Sequence, residues 1–485
     1  MTPDLVVAHG LVVNAGGRRR AHVVVGGGQI IDVIPDSAPV PRADRVIDAR
    51  GRVVVPGGVD GHCHVAQTTG AYRTLDDFDV TSKAALWGGT TTILDFGIPR
   101  NLSQSPLDAA LGKLELMRES RCDVGLHGCV IRWDCTVPRQ LDQMAELGIR
   151  SVKLYMTNRG STMADADTVV NVLREMVRLD GLTYVHAEHD AVIHHCTEAH
   201  VGLGRIGVEH LHRTRPELAE EASVREVLAL AEYTGAPVYF VHQSTPGAVD
   251  LVSEARGRGQ EVLSETCPHY VTLDDTAYLG PVPEWFACCP PMRSATTVAA
   301  LRARFCDGKI DTVSSDHSCY DLTQKRERAD DVRFMPHGLP GVETRMPVSF
   351  TALTEQAEAA GRPGDSALEQ FVELFAAAPA RINALPAKGM IAEGYDADLV
   401  VLDPQEERSV DARALHMGTD FSPFHGRRLR GWPQVVVSGG RVVLDGDGFH
   451  DPGPVGRYLT RRGFHDAQWP AAEVPKLATT ITGGA

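Results

Sequence analysis

The chain changes texture twice along its length, and the spacing of apolar positions marks both changes. Residues 1–56 alternate short β-branched runs with glycine turns: Leu5-Val6-Val7, Ala21-His22-Val23-Val24-Val25 and Gln29-Ile30-Ile31-Asp32-Val33. Short runs of this kind bounded by turn residues predict hairpin strands. Gly26-Gly27-Gly28 leads into another strand-like run and not a helix, so it predicts a hairpin turn and not a phosphate-binding loop. From 57 to 388, apolar runs alternate with amphipathic segments. The strand candidates are Val53–Val59, Thr91–Phe96, Val124–Ile131, Ser151–Met156, Thr183–His186, Val238–His242, Glu261–Glu265 and Thr312–Ser315. Helical patterns fall between most of them, at Thr81–Trp87, Leu107–Glu119, Asp165–Leu179, Ala219–Tyr233 and Thr297–Phe305. Eight strand-then-helix units in succession predict an α/β fold, a closed (β/α)8 TIM-type barrel. An open doubly wound sheet is the alternative, but such sheets usually have fewer strands.

After Pro386 the hairpin texture returns, with Asp398-Leu399-Val400-Val401-Leu402, Pro433-Gln434-Val435-Val436-Val437 and Arg441-Val442-Val443-Leu444. Residues 389–449 are therefore expected to join residues 1–56 in a small β-sandwich domain made from both chain termini. The last stretch, 450–485, is punctuated by Pro and Gly and is basic around Arg457, Arg461 and Arg462. It reads either as an arm that docks on a neighbouring subunit or as a loosely ordered tail.

Composition narrows the function classes. The 485 residues, 43% of them hydrophobic, suffice for a large core, and a formal charge of -15 argues against nucleic-acid and anionic-membrane partners. The N-terminus, Met1-Thr2-Pro3-Asp4-Leu5, lacks the basic start and apolar run of a signal peptide, and no apolar stretch approaches the roughly 20 residues that cross a bilayer. Ten scattered cysteines without a CxxC pair read as reduced thiols in a cytoplasm.

The chemistry-bearing residues sit where a barrel would gather them. His62 and His64 end the first strand candidate, in Gly58-Val59-Asp60-Gly61-His62-Cys63-His64. In extended chain, residues two apart point the same way, so both imidazoles can face one metal while Cys63 points away toward packing. Lys153 lies in the fourth candidate, His186 and His242 end the fifth and sixth, and Asp316 follows the eighth. C-terminal strand ends of such a barrel converge on one mouth, so four histidines, a carboxylate and a lysine would meet there. A lone histidine after an apolar run is more often a satisfied near-core residue; five ligand-type residues at strand ends point to metal. Lys153 has two readings. It is either a structural lysine paired with an acid, or a desolvated neutral amine able to add carbon dioxide and become a bridging carbamate. The local cluster His189, His194 and His195 reads as solvated helix positions.

These residues resemble the amidohydrolase superfamily, and within it the cyclic amidohydrolases of the dihydropyrimidinase/hydantoinase and allantoinase group. The resemblance rests on Asp60-Gly61-His62-Cys63-His64, Asp76-Asp77-Phe78, Gly88-Gly89-Thr90-Thr91-Thr92-Ile93-Leu94-Asp95-Phe96, Val152-Lys153-Leu154-Tyr155-Met156 and His186-Ala187-Glu188. It continues through Glu265-Thr266-Cys267-Pro268-His269-Tyr270, Pro290-Pro291-Met292-Arg293, Ser315-Asp316-His317, Pro340-Gly341-Val342-Glu343-Thr344-Arg345 and Gly394-Tyr395-Asp396-Ala397-Asp398-Leu399-Val400. What it implies is a binuclear centre holding two divalent ions, zinc by preference with manganese or cobalt also suited. One ion would take His62, His64 and Asp316 and the other His186 and His242, with carbamylated Lys153 and a hydroxide bridging them. Asp316 would serve as general base and then acid. The implied reaction opens a cyclic amide, imide or ureide of hydantoin or dihydropyrimidine type. Allantoinase, or hydrolysis of another lactam or imide, is the alternative. A non-catalytic scaffold would have lost ligands that are all present here, and a deaminase of this fold would use one metal and no carbamylated lysine. The resemblance also implies a homo-oligomer, tetramer or dimer.

The sequence departs from that pattern at substrate positions. Dihydroorotase-like members carry an arginine where Ala66 stands, so a guanidinium grip on a substrate carboxylate is missing. Hydantoinases place an oxyanion-stabilising tyrosine where Asn158 stands, leaving Tyr155 as a substitute. Cys289 replaces a usual serine and His337 a usual asparagine at positions expected to contact the substrate.

Overall fold

The computed structural model describes residues 3–466. Eight parallel strands form the centre: β1 (Gly58–Cys63), β2 (Thr90–Gly97), β3 (Asp123–Cys129), β4 (Ser151–Tyr155), β5 (Leu182–His186), β6 (Val238–Phe240), β7 (Val262–Thr266) and β8 (Thr312–Val313). They pair in chain order. The ring is closed by a parallel bridge from Cys63 to His317, with the Asp316 N–H donating to the His62 carbonyl at 3.0 Å and the His64 N–H to the His317 carbonyl at 2.8 Å. Helices cover the outside, so the strands are buried on both faces: all eight residues of β2 are buried, Thr90, Thr91, Thr92 and Asp95 among them. The covering helices start on side-chain caps. Asp77 caps Phe78–Trp87, Ser105 caps Pro106–Leu116 and Asp165 caps Ala166–Arg178, each oxygen accepting from a backbone N–H of the first turn.

Three strand expectations need correction. Val53–Val59 is two strands of different sheets: Val53–Pro56 pairs with Leu11-Val12 and with Leu399–Leu402 in the terminal domain, while β1 begins at Gly58. The run is apolar throughout because both halves are buried, so only Pro56-Gly57 marks the handover. Val238–His242 and Thr312–Ser315 end early, at Phe240 and Val313. The residues that follow leave the ladder, with His242 at φ 40° and Asp316 at φ 50°, a left-handed backbone uncommon outside glycine and concentrated at functional sites.

The terminal β domain is a single continuous ladder of nine strands drawn from both chain ends. Leu5–Asn14 and Val53–Pro56 lie beside Leu399–Leu402 and Pro433–Ser438. The expected hairpin turn is present, with Gly27 at φ 61° and Gly28 at φ 82° joining Gly17–Gly26 to Gln29–Pro35, a pair of positive angles that favours glycine. Residues 451–466 run across the N-terminal ends of the barrel strands, bonding backbone to backbone at Val124, Gly148 and Asp180. The remainder of the tail, 467–485, lies outside the described residues.

A buried charge node ties barrel, terminal domain and tail together. The Lys388 ammonium lies 2.6 Å from Asp123, 3.0 Å from Asp396 and 2.5 Å from Asp398, and Arg457 of the tail reaches Asp123 and Asp396. Asp123 opens β3, and Asp396 and Asp398 precede Leu399–Leu402. Removing one partner from a buried ion cluster strands the others without solvent. Lys388→Met is therefore expected to destabilise the fold by about 3–5 kcal/mol. Denaturant titration reads this as a lower midpoint at an unchanged slope, and an unmoved midpoint would mean the node is not what joins the parts.

Candidate metal centre and substrate pocket

The barrel mouth brings the six expected metal-centre residues together. His62 Nε2 and His64 Nε2 are 3.2 Å apart, and Asp316 Oδ1 lies 3.2 Å from the first and 3.3 Å from the second. A tetrahedral cation with bonds of ~2.0–2.1 Å separates its ligands by ~3.3–3.4 Å. His62 Nδ1 lies 2.8 Å from Glu265 Oε1. A carboxylate only accepts, so in the neutral ring Nδ1 carries the proton and Nε2 presents a bare lone pair. That lone pair faces a carboxylate oxygen and a second imidazole nitrogen, an arrangement that a cation would satisfy.

His186 and His242 make a second, adjacent pair, with ring centroids 4.5 Å apart. His186 Nε2 is 2.7 Å from Glu188 Oε2, and Arg215 donates to both Glu188 oxygens at 3.1 and 2.6 Å. This leaves His186 Nδ1 for a metal. Burial alone would raise the Glu188 carboxyl, but Arg215 and His186 override it and hold the group well below the ordinary carboxylate range. His242 is desolvated, which drives its imidazole far toward the neutral, ligating form.

Lys153 lies on the inward face of β4 with no exposed surface, and its Nζ has no hydrogen-bond partner. The expected alternative, a structural lysine paired with an acid, is not what is seen. Burial brings the amine down to about 8 from 10.5, so a substantial neutral fraction is available at working pH. Asp316 is the reverse case. Burial pushes it up, but His62 and His64 hold it far below the usual carboxylate range, so it is an ionised acceptor.

The substrate-side candidates separate. Tyr155 ends β4 on the same inward face as Lys153, buried, with its ring 5.6 Å from that of His186. Burial pushes its phenol well above its usual range, so it remains a proton donor. Asn158 is exposed in the following loop at φ 73°, and its amide donates to Thr162 Oγ1 at 3.2 Å. Cys289 and His337, 48 residues apart in sequence, touch at 2.9 Å from Sγ to Nδ1. His189 stands just before the helix Asp190–Gly202 without a side-chain capping bond, and His194 and His195 are exposed on it. Cys63 is buried in the core, as its position between the ligands predicts.

Two carboxylates of the centre were not singled out from sequence. Glu265 lies at the end of β7, fully buried, accepting from His62 Nδ1, from the His242 backbone N–H at 3.0 Å and from Tyr239 Oη at 2.7 Å. Glu188 stands behind His186 as described. The available signal was a glutamate inside or at the end of an otherwise apolar strand, which has to be paired to be buried. Another cluster, Asp76, His317 and Cys319, holds no spare imidazole nitrogen: His317 Nδ1 accepts from the Gly341 N–H at 3.2 Å and Nε2 lies 3.1 Å from Asp76.

With this geometry in view, the chain was compared with known proteins. It matches the amidohydrolase family over residues 53–443. It is 33% identical to a D-hydantoinase of Ralstonia pickettii over 467 residues, 95% of this chain and 99% of that one. It is 32% identical to a dihydropyrimidinase of Arabidopsis thaliana, over 95% of this chain and 86% of the other. The crystal structure of a dihydropyrimidinase from Brevibacillus agri NCHU1002 superposes with a TM-score of 0.89 at 31% identity, covering 95% of this chain and 99% of that one.

Carboxylates that orient ligating histidines typically carry 10–100-fold in metal affinity. Glu265→Gln should thus release metal at about 10–100-fold lower chelator concentration than the wild type, with circular dichroism unchanged. Equal retention in the two proteins would reduce Glu265 to a packing role.

Proposed function

The chain belongs to the amidohydrolase family, and from that membership and the geometry of the mouth we propose that it hydrolyses a cyclic amide, imide or ureide of hydantoin or dihydropyrimidine type. The observation that carries this reading is the set of three lone-pair donors, His62, His64 and Asp316, held within 3.3 Å of one another beside an unpaired, fully buried Lys153. The donor set fits divalent metal, with His186 and His242 for a second ion. Zinc suits imidazole and carboxylate best, and manganese or cobalt is also accommodated. The neutral Lys153 amine could add carbon dioxide, forming an N–C bond and releasing one proton, and the resulting carbamate would supply two further oxygen ligands. Two such cations would supply water that ionises near neutral pH and would polarise the carbonyl to be attacked.

The protein's own groups do the rest. Glu265 and Glu188 fix the rings of His62 and His186. Asp316, ionised and aimed by its left-handed backbone, accepts the proton as a water oxygen bonds to the ring carbonyl carbon. The same carboxyl returns that proton to the ring nitrogen as the C–N bond breaks, so the ring opens without leaving an amide anion. Tyr155, protonated and on the inward face, is placed to donate to the carbonyl oxygen as charge builds there.

A ring-opening assay tests the reading on protein loaded with zinc in the presence of bicarbonate. The panel is hydantoin, 5-substituted hydantoins, dihydrouracil, allantoin, dihydroorotate and glutarimide. Turnover of a hydantoin or dihydropyrimidine is expected, abolished by Lys153→Ala and by chelation, and lowered about 10²–10⁴-fold by Asp316→Asn. A fully metal-loaded protein that leaves both ring types intact would sink this substrate assignment.

A second measurement assigns the oxyanion donor. Tyr155→Phe should cost about 10²–10³-fold in kcat with little change in KM, whereas Asn158→Ala, whose amide is spent on Thr162, should cost less than tenfold. The opposite ranking would transfer the role to Asn158.

A further inference from the structure

An imidazole that ligates metal needs its ring held from behind, and a carboxylate or carbonyl on the second nitrogen is the usual means. Glu265 serves His62 in this way and Glu188 serves His186. His64 has no such support. Its Nε2 faces His62 and Asp316, while its Nδ1 is buried without a hydrogen-bond partner. Among the described residues, no polar group on Nδ1 sets the plane of this ring.

What meets His64 instead is Phe96, fully buried on β2 and packed with Tyr184 and Tyr239. The Phe96 and His64 rings stack, with centroids 5.3 Å apart and planes 28° from parallel. Phe96 also stacks on His127, at 4.7 Å and 22°, and His127 cannot turn. Its Nε2 lies 3.1 Å from the Gly61 carbonyl, which only accepts, so Nε2 carries the proton and Nδ1 takes the Ser151 hydroxyl at 2.5 Å. A ring fixed by two hydrogen bonds thus braces Phe96, and Phe96 lies against His64. An uncharged support also suits this position. Lys153 Nζ is 4.9 Å from the Phe96 centroid and has no hydrogen-bond partner. A carboxylate in the place of this ring would form an ion pair with that lysine, as an ammonium with no lone pair to offer.

We propose that Phe96 is a positioning residue of the metal centre: its ring, braced by His127, orients His64 in place of the carboxylate that serves His62 and His186. The inference rests on the proposed metal centre, but not on the identity of the substrate.

Chelator titration of the zinc-loaded full-length protein tests this, with bound zinc counted at each step and folding followed by circular dichroism. Phe96→Leu keeps an apolar side chain but removes the ring face. It should release at least one ion at about tenfold lower chelator concentration than the wild type, the lower end of what an orienting group carries. Phe96→Met fills the space with a flexible chain and should do the same, so the test does not hang on one variant folding. Phe305→Leu, at a buried phenylalanine on the helix Ala295–Cys306, loses comparable packing away from the centre and should release zinc where the wild type does. Wild-type retention in a folded Phe96→Leu or Phe96→Met overturns the proposal. Equally early release from Phe305→Leu also overturns it, by tracing the loss to a softened barrel. A wild type that binds no zinc would instead sink the metal centre itself, and this inference with it.

Discussion

A carboxylate with no water around it must find all its partners within the protein, and Glu265 finds them on both halves of the metal centre. One oxygen accepts from the His62 ring and from the His242 backbone, and the other from Tyr239 Oη. Burial by itself would favour the protonated acid, but the His62 imidazole and these donors hold the group below its ordinary range. The consequence is directional. With Nδ1 committed, His62 turns Nε2 toward His64 and Asp316, and with its N–H committed, His242 is fixed in a left-handed backbone that ends β6. A neutral residue at 265 would leave His62 of one group and His242 of the other free to rotate. The geometry of both halves therefore rests on one anion placed between their supports.

The barrel separates this chemistry from what holds the ring shut. Beneath His62, the Arg345 guanidinium is completely buried and donates to the carbonyls of Val59 at 3.2 Å and Val313 at 2.9 Å, joining β1 to β8. It lies 4.0 Å from the Phe375 ring centroid and 3.6 Å from Asp60 Oδ2, while Asp60 Oδ1 accepts from Ser315 just before the Asp316 ligand. The first and last strands are thus registered by a planar cation with fixed donor directions, which a lysine could not reproduce. Lys388 and its three carboxylates do the equivalent work where β3 meets the terminal domain and the tail. Charge on the N-terminal face fixes the scaffold; charge on the C-terminal face is left with lone pairs exposed to reactants.

The parts of this arrangement that follow a period were legible in the sequence. Strand alternation put His62 and His64 on one side and Cys63 on the other, and the eight-fold repeat placed Lys153, His186, His242 and Asp316 at one mouth. Other features carry no period. The run Val53–Val59 is apolar for two different reasons, so its division between two sheets left no trace except Pro56-Gly57. The early ends of β6 and β8 are followed by left-handed residues, His242 and Asp316; histidine and aspartate adopt that backbone more readily than most side chains, but no period in the sequence marks where they do so. Glu265 looks like an interruption of a buried strand, and Glu188 like a residue just beyond one, until their partners are known. The Cys289–His337 contact joins two loops that are remote in sequence, and no local pattern predicts it.

That contact bears on which rings the pocket admits. Burial lifts the Cys289 thiol to about 12 and lowers the His337 imidazole to about 3, so at working pH the pair is neutral and linked by a hydrogen bond. Arg215 is paired with Glu188 at 2.6 Å and Arg159 with Asp190 at 2.5 Å, while burial brings the Lys325 amine down to about 7 and its Nζ donates to the Ala287 carbonyl at 2.7 Å. Ala66, two residues beyond His64, adds a methyl group where a guanidinium would be needed to hold a carboxylate. A ring bearing an anionic substituent would have to surrender its hydration for contacts with neutral or already paired groups, a cost that nothing at the mouth offsets. An uncharged ring gives up far less. The electrostatics at the substrate end therefore favour hydantoin- or dihydrouracil-like rings over carboxylated ones, independently of the metal centre that would open either.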